Sequence, residues 1–226
     1  MGVHDGHRQR MKKRFSEHGL ENFDDINALE LLLFYALPRC DTNVVAHSLL
    51  DRFGSLAGVM EAGEDELARV DGVGESAAVL LRLVPQLCRR YMVEKEGSAE
   101  AISDSASAGR YFVPRFMCET DEVVYIACLD SVHRIIYCGE IGRGVVNSAE
   151  VSVRKIVEVA LRYNSSGVIL AHNHVSGLAL PSKEDEVTTR QIASALSLVG
   201  VSLVDHIIVA DGEFVSMADS RMFNSI

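Results

Sequence analysis

His172-Asn173-His174-Val175-Ser176-Gly177-Leu178-Ala179-Leu180-Pro181-Ser182-Lys183-Glu184-Asp185 follows directly on the apolar run Gly167-Val168-Ile169-Leu170-Ala171. The run reads as a buried strand, and residues two apart in an extended chain face the same side. His172 and His174 can therefore aim both imidazoles at one point just past the strand end. Asp185 stands eleven residues after His174, in the first turn of an expected helix. Two neutral imidazoles and one carboxylate suit a single Zn²⁺ per chain, with a fourth position left for water. That is the donor set of a catalytic site, since a structural site closes all four positions with protein. The same letters also serve the backbone. Ser182 with an acid three residues on is close to a capping box, and Pro181 fits a loop ending there. Both readings can hold at once, because a cap that fixes the helix start also fixes where Asp185 points.

The remaining sequence bounds the class of protein. Of the 226 residues, 48% are hydrophobic, enough for a proper core in one large or two small domains. No apolar run approaches the roughly 20 residues of a membrane span. The basic stretch from Met1 to Phe15 has no apolar segment behind it and does not read as a secretory signal. Five scattered cysteines without a Cys-x-x-Cys pair argue for a reducing, cytoplasmic setting. The net charge is −10, and both halves of the chain carry an acidic excess. A field of that sign repels a polyphosphate, so any DNA contact has to come from a local patch.

The first half reads as helical. Arg8, Arg10, Lys12, Lys13 and Arg14 form its one dense basic cluster, either a solvated helix start or a phosphate-contacting arm. Asn27 to Leu37 is apolar without strand alternation and predicts a buried helix, with Asn27 as cap, Glu30 three residues on and Pro38 at its end. A second helix is expected from Asn43 to Phe53, opened by Asp41 or Thr42 and stopped by Gly54. A short helix follows at Leu56 to Met60. The segment Val70-Asp71-Gly72-Val73-Gly74 then leads into a long helix ending near Met92.

A polar stretch near Glu94 to Ser107 predicts a linker, and Ala106 to Met117 a helix kinked at Pro114. The β-branched runs Glu122 to Leu129 and Arg134 to Gly139 predict an antiparallel hairpin, followed by a turn at Gly142 and Gly144. Ser152 to Asn164 has helical spacing. After the histidine-bearing strand and its loop come a helix from Lys183 to about Leu198 and two strands, Val204 to Val209 and Glu213 to Ser216, around Asp211-Gly212. His206, amid apolar residues, reads as a hydrogen-bonded core histidine. Asp205 is a candidate partner for a ligand histidine.

Two resemblances gather these readings. His-x-His, seven residues, Ser, two residues, Asp resembles the JAMM motif of MPN-domain metallohydrolases. The longer run His-Asn-His-x-Ser-Gly-x-x-x-Pro-Ser-x-x-Asp resembles the RadC-like branch. Val175 stands where that family has Pro. Proline binds no metal, so a change in loop stiffness is expected, not a lost site. The apolar-Gly-apolar-Gly turn at Gly72 and Gly74 resembles a helix-hairpin-helix, whose amides can face a phosphate. Asp71 and Glu75 flank it where DNA-binding examples carry neutral or basic residues.

The resemblance implies an α/β chain: a C-terminal MPN-like mixed sheet with flanking helices, preceded by a small all-α helix-hairpin-helix domain. The expected divisions are 1–95, a linker at 96–105, and 106–226. It implies a zinc-dependent metallopeptidase or isopeptidase with His172, His174 and Asp185 on the metal. A glutamate on an upstream strand would shuttle protons, either Glu122 at the start of the hairpin or Glu140 at its end, with Glu122 favoured by strand order. Ser182 would donate a hydrogen bond to the oxyanion. The second reading is a DNA-associated repair or recombination module with a non-catalytic or nuclease-like metal domain, contacting DNA through Gly72, Gly74, Arg8 and Arg10. The physiological substrate does not follow from either.

Overall fold

The computed structural model describes residues 3–97, 101–144, 152–175 and 177–222. Of the linker expected at 96–105, residues 98–100 lie outside the described residues, as does Ser176 of the motif. The chain divides into two compact units, Met1–Cys88 and Arg89–Ile226.

The first unit is helical: α1 Val3–His18, α2 Asp25–Leu33, α3 Thr42–Phe53, α4 Leu56–Glu61, α5 Glu64–Ala68 and the start of α6 Glu75–Gly97. Leu29, Leu33, Val45, Leu49, Val59, Leu67, Ala77 and Leu81 close its core. The cap of α2 is Asp24, whose carboxylate accepts from the Asn27 amide at 2.7 Å, so the helix starts earlier than the Asn27 reading. Glu30 is no capping acid either: it is buried and bonds His7 and Asn43. Gly54 ends α3 in the left-handed region as expected. The long helix α6 runs past the expected Met92 to Gly97, so the polar residues from Glu94 onward begin as helix.

The basic cluster lies on α1, and much of it serves the fold. The Arg8 guanidinium donates to Leu37 O at 2.7 Å and Cys40 O at 2.8 Å and stacks over Phe34. Arg14 donates to Asn22 O and lies over Phe23. Arg8 is therefore tied into the fold and not simply solvated, whereas Arg10 is exposed. At Gly72, in the turn between α5 and α6, φ is +85° and an added Cβ would stand 2.8 Å from Val45 Cγ2. A side chain is thus excluded there both by backbone conformation and by space.

The second unit carries α7 Ser105–Phe112 and a 3-10 turn Val113–Phe116 at the expected proline. Then follow β1 Val123–Leu129, β2 Ile135–Arg143, α8 Val153–Arg162, β3 Gly167–Asn173, α9 Lys183–Ser197, β4 Ser202–Ala210 and β5 Glu213–Ser216. The sheet order is β2-β1-β3-β4-β5. Only β3 and β4 run parallel, which needs the crossover that α9 supplies; the other neighbours are antiparallel, so the expected mixed sheet is present. Strand β2 continues through Gly142, where the sequence suggested a turn. Ile156, Val159 and Ala160 of α8 and Ile192 and Leu196 of α9 cover one face. Ala108, Tyr111 and Phe112 of α7 cover the other. Central β3 is buried along its whole length, which explains its unbroken apolar spelling.

Candidate metal centre

His172 lies within β3, which extends through Asn173, two residues beyond the expected strand end. It shares a face with Val168 and Leu170, toward α8 and α9. His174 follows the strand and is held there by its amide, which donates to Val209 O of β4 at 2.8 Å. Ser182 caps α9, and the cap is reciprocal: Ser182 Oγ accepts from Asp185 N at 3.1 Å, and Asp185 Oδ2 accepts from Ser182 N at 2.8 Å. Asp185 is thereby turned back over the helix start toward the histidines.

His172 Nε2 and His174 Nε2 stand 3.1 Å apart; Asp185 Oδ1 is 3.3 Å from the first and Oδ2 is 3.5 Å from the second. Ligand atoms at tetrahedral angles on zinc bonds of about 2.0–2.1 Å would be roughly 3.3 Å apart. The two nitrogens stand near that spacing, each with one oxygen of the same carboxylate beside it, and one ligand atom from each of the three residues lies within 4.8 Å of the others, which fits the ion the donor set suggests. This trio is the metal-competent cluster found among the described residues. His174 Nδ1 meets Leu178 O at 3.3 Å. A carbonyl only accepts, so Nδ1 carries the hydrogen and Nε2 presents its lone pair.

Electrostatics shift the two histidines in opposite directions. Burial lowers His172 to about 4, against the pull of Asp185. The hydrogen bond with Asp185 raises His174, and burial opposes it. Burial pushes Asp185 upward, but His174, His172 and Ser182 outweigh it and hold the carboxyl well below the usual range.

Of the two acids considered for proton transfer, Glu122 stands nearer the cluster. Val124 pairs with His172 across β1 and β3, and Glu122 immediately precedes β1 as His174 immediately follows β3, so both lie at the same end of this strand pair. The charge of Glu122 contributes to raising His174. Glu140 opposes Tyr125 in the β1–β2 ladder, and both its carboxylate oxygens bond Arg143, at 3.2 and 2.8 Å. Ser182 Oγ donates to Asp185 Oδ2 at 2.7 Å, so its single hydrogen is engaged in orienting the carboxylate.

Three residues around the site escaped the sequence reading in whole or part. Asn173 reaches across to the start of β1. His206 is the hydrogen-bonded core histidine expected, but one of its partners is a histidine of the cluster: its Nε2 lies 2.9 Å from His172 Nδ1, and its Nδ1 lies 2.6 Å from Thr189 Oγ1 on α9. Burial, and the neighbouring His172, lower His206 to about 3. Asp205, the suggested partner, instead bonds the His206 and Ala218 amides and Ser216 Oγ. The signal that could have flagged His206 is the parallel pairing of β3 and β4, which brings it beside Leu170.

A family model described as the RadC-like JAB domain matches residues 102–222. A UPF0758 protein of Xylella fastidiosa strain Temecula1 is 34% identical over 211 residues, covering 93% of this chain and 94% of the relative. A UPF0758 protein of Bordetella parapertussis is 36% identical over 207 residues, covering 92% of each. With the family model spanning more than half of the chain and relatives aligned along nearly all of it, the protein belongs to the UPF0758 family of RadC-like JAB-domain proteins.

Proposed function

We propose that this chain is a zinc-dependent hydrolase of the JAMM type that cleaves amide bonds, as a metallopeptidase or isopeptidase. The observation that carries the reading is the spacing of 3.1, 3.3 and 3.5 Å among the donors of His172, His174 and Asp185. Zinc held by these three would supply Lewis acidity and lower the pKa of water to about 7. Glu122 is the base: its carboxylate accepts the proton of the attacking water and returns it to the leaving amine. Asn173 keeps the Glu122 segment against the strand that carries the histidines. Ser182 holds Asp185 in position, and its hydroxyl, once turned from Asp185, donates to the oxygen of the attacked carbonyl. Glu140, tied to Arg143, has a structural part only.

The test is metal content of the purified chain beside His172→Ala and Asp185→Ala. About one zinc per chain, lost in both variants, supports the reading. Peptide and isopeptide screening would follow, with Glu122→Gln as the inactive control. A chain that takes no zinc when zinc is offered sinks the hydrolase, and a DNA-associated role would then lead.

A further inference from the structure

The two histidines of the metal centre are held by different kinds of partner. His174 Nδ1 faces a backbone carbonyl, which can only accept. His172 Nδ1 faces another imidazole, His206 Nε2, at 2.9 Å. An imidazole nitrogen can donate or accept, so this contact alone does not decide which nitrogen of His172 is bare. Both rings are buried, at 5% and 3% exposure. A histidine that holds a metal is neutral, and a buried imidazolium beside a bound cation is strongly disfavoured, so with the metal in place each ring carries one hydrogen and one hydrogen lies between them.

Two arrangements satisfy the pair. In one, Thr189 donates to His206 Nδ1, His206 Nε2–H donates to His172, and the hydrogen of His172 sits on Nε2, facing Asp185. That closes the site to a cation. In the other, His172 Nδ1–H donates to His206 Nε2, and His206 Nδ1–H donates to Thr189 Oγ1. The Thr189 hydroxyl then has an outlet of its own in Met217 Sδ, 3.5 Å away, which accepts only. This second polarity leaves His172 Nε2 bare. Thr189 is fully buried on α9, four residues after Asp185, so the last acceptor belongs to the same helix as the carboxylate.

We propose that His206 and Thr189 form an orienting relay that holds His172 with Nε2 bare, and so sets the affinity of the site for its metal. This rests on the metal reading above. His206 is a positioning residue; it acts through His172. A neutral imidazole in this place adds no charge to the centre, unlike the carboxylates that often brace a ligand histidine.

The test is zinc affinity of the full chain, measured by competition with a chromophoric chelator, in wild type, His206→Leu, His206→Gln and Thr189→Val. A glutamine can accept from His172 through Oε1 and donate to Thr189 through Nε2, so it restores the polarity. His206→Leu is expected to bind about 10- to 100-fold more weakly, and His206→Gln close to wild type. Leucine binding as tightly as wild type overturns the relay. So does glutamine binding as weakly as leucine, which would make shape the cause. If the leucine variant does not fold, Thr189→Val decides: unchanged affinity overturns the proposal. Nitrogen NMR of the ring atoms gives a readout that packing alone does not move. In the zinc-loaded protein the His206 hydrogen is expected on Nδ1, and finding it on Nε2 overturns the relay. A wild type without zinc overturns the metal reading together with this one, whereas zinc binding indifferent to all three variants overturns the relay alone.

Discussion

Asn173 and Val123 are joined side chain to backbone: Asn173 Oδ1 accepts from the Val123 amide at 2.7 Å, while Nδ2 donates to Asp121 O at 3.0 Å. The two bonds bracket Glu122 and fasten its backbone to the strand that carries His172. Asn173→Ala would leave a buried amide without an acceptor, costing about 1–3 kcal/mol. Urea denaturation should show that loss. Zinc content should stay at that of wild type, while kcat on a peptide substrate falls. Unchanged stability would mean that the Val123 amide finds another acceptor.

Ser182 serves the start of α9 and the direction of Asp185 together. Ser182→Ala should cost about 0.5–2 kcal/mol of stability through the lost cap and should also weaken zinc binding, because Asp185 Oδ2 loses its hydroxyl donor. Ser182→Thr keeps the hydroxyl and should recover both. Thermal unfolding with and without zinc separates the two effects, and equal zinc binding by the alanine variant would remove Ser182 from the site.

Protons and metal compete for the same nitrogens, with opposite consequences at the two histidines. Burial lowers His172 to about 4 in the folded chain, against an ordinary 6.5. The unfolded chain therefore binds the extra proton first, and this contribution to stability is whole above about 6.5 and falls as pH drops toward 4. His174 is shifted up by Asp185, so its contribution is present below its ordinary value and fades as pH rises through the folded one. Zinc needs both rings neutral. The increase in Tm on adding zinc should thus be largest at pH 7–8 and shrink steadily toward pH 5. An increment that does not change with pH would show that histidines are not the ligands.

In the helical unit, Gly72 is fixed by backbone and by space at once, with φ of +85° and Val45 Cγ2 2.8 Å from where a Cβ would stand. Gly72→Ala should destabilise by about 1–3 kcal/mol. Adding Val45→Ala removes the clash but not the backbone cost, so a partial rescue is expected in denaturant titrations. Full rescue would mean that the left-handed backbone contributes nothing.

How far the sequence could be read depended on whether neighbours in space were also neighbours in the chain. His172, His174 and Asp185 were legible because strand alternation and a helix cap, both local rules, aim all three. The mixed sheet was legible for the same reason: a hairpin, then strand, helix, strand. His206 was not, because its meaning comes from a parallel pairing that no local pattern announces. Nor were Arg8 and Arg14, which spell a solvated cluster but lie over Phe34 and Phe23 and satisfy carbonyls. The Asn27 cap failed by three residues because Asp24 offers the same chemistry one turn earlier. That Glu140 opposes Tyr125 and is tied to Arg143 comes from the ladder register, which is not written in the spacing.

The middle place of β3 has one more consequence. A strand paired on both sides and covered on both faces is among the last parts of a domain to open, whereas a helix start frays early. His172 therefore sits on a strand expected to open late, whereas the direction of Asp185 depends on a helix start that the Ser182 cap holds closed. If the three hold an ion as proposed, loss of that cap would free the carboxylate first and leave the two imidazoles in place.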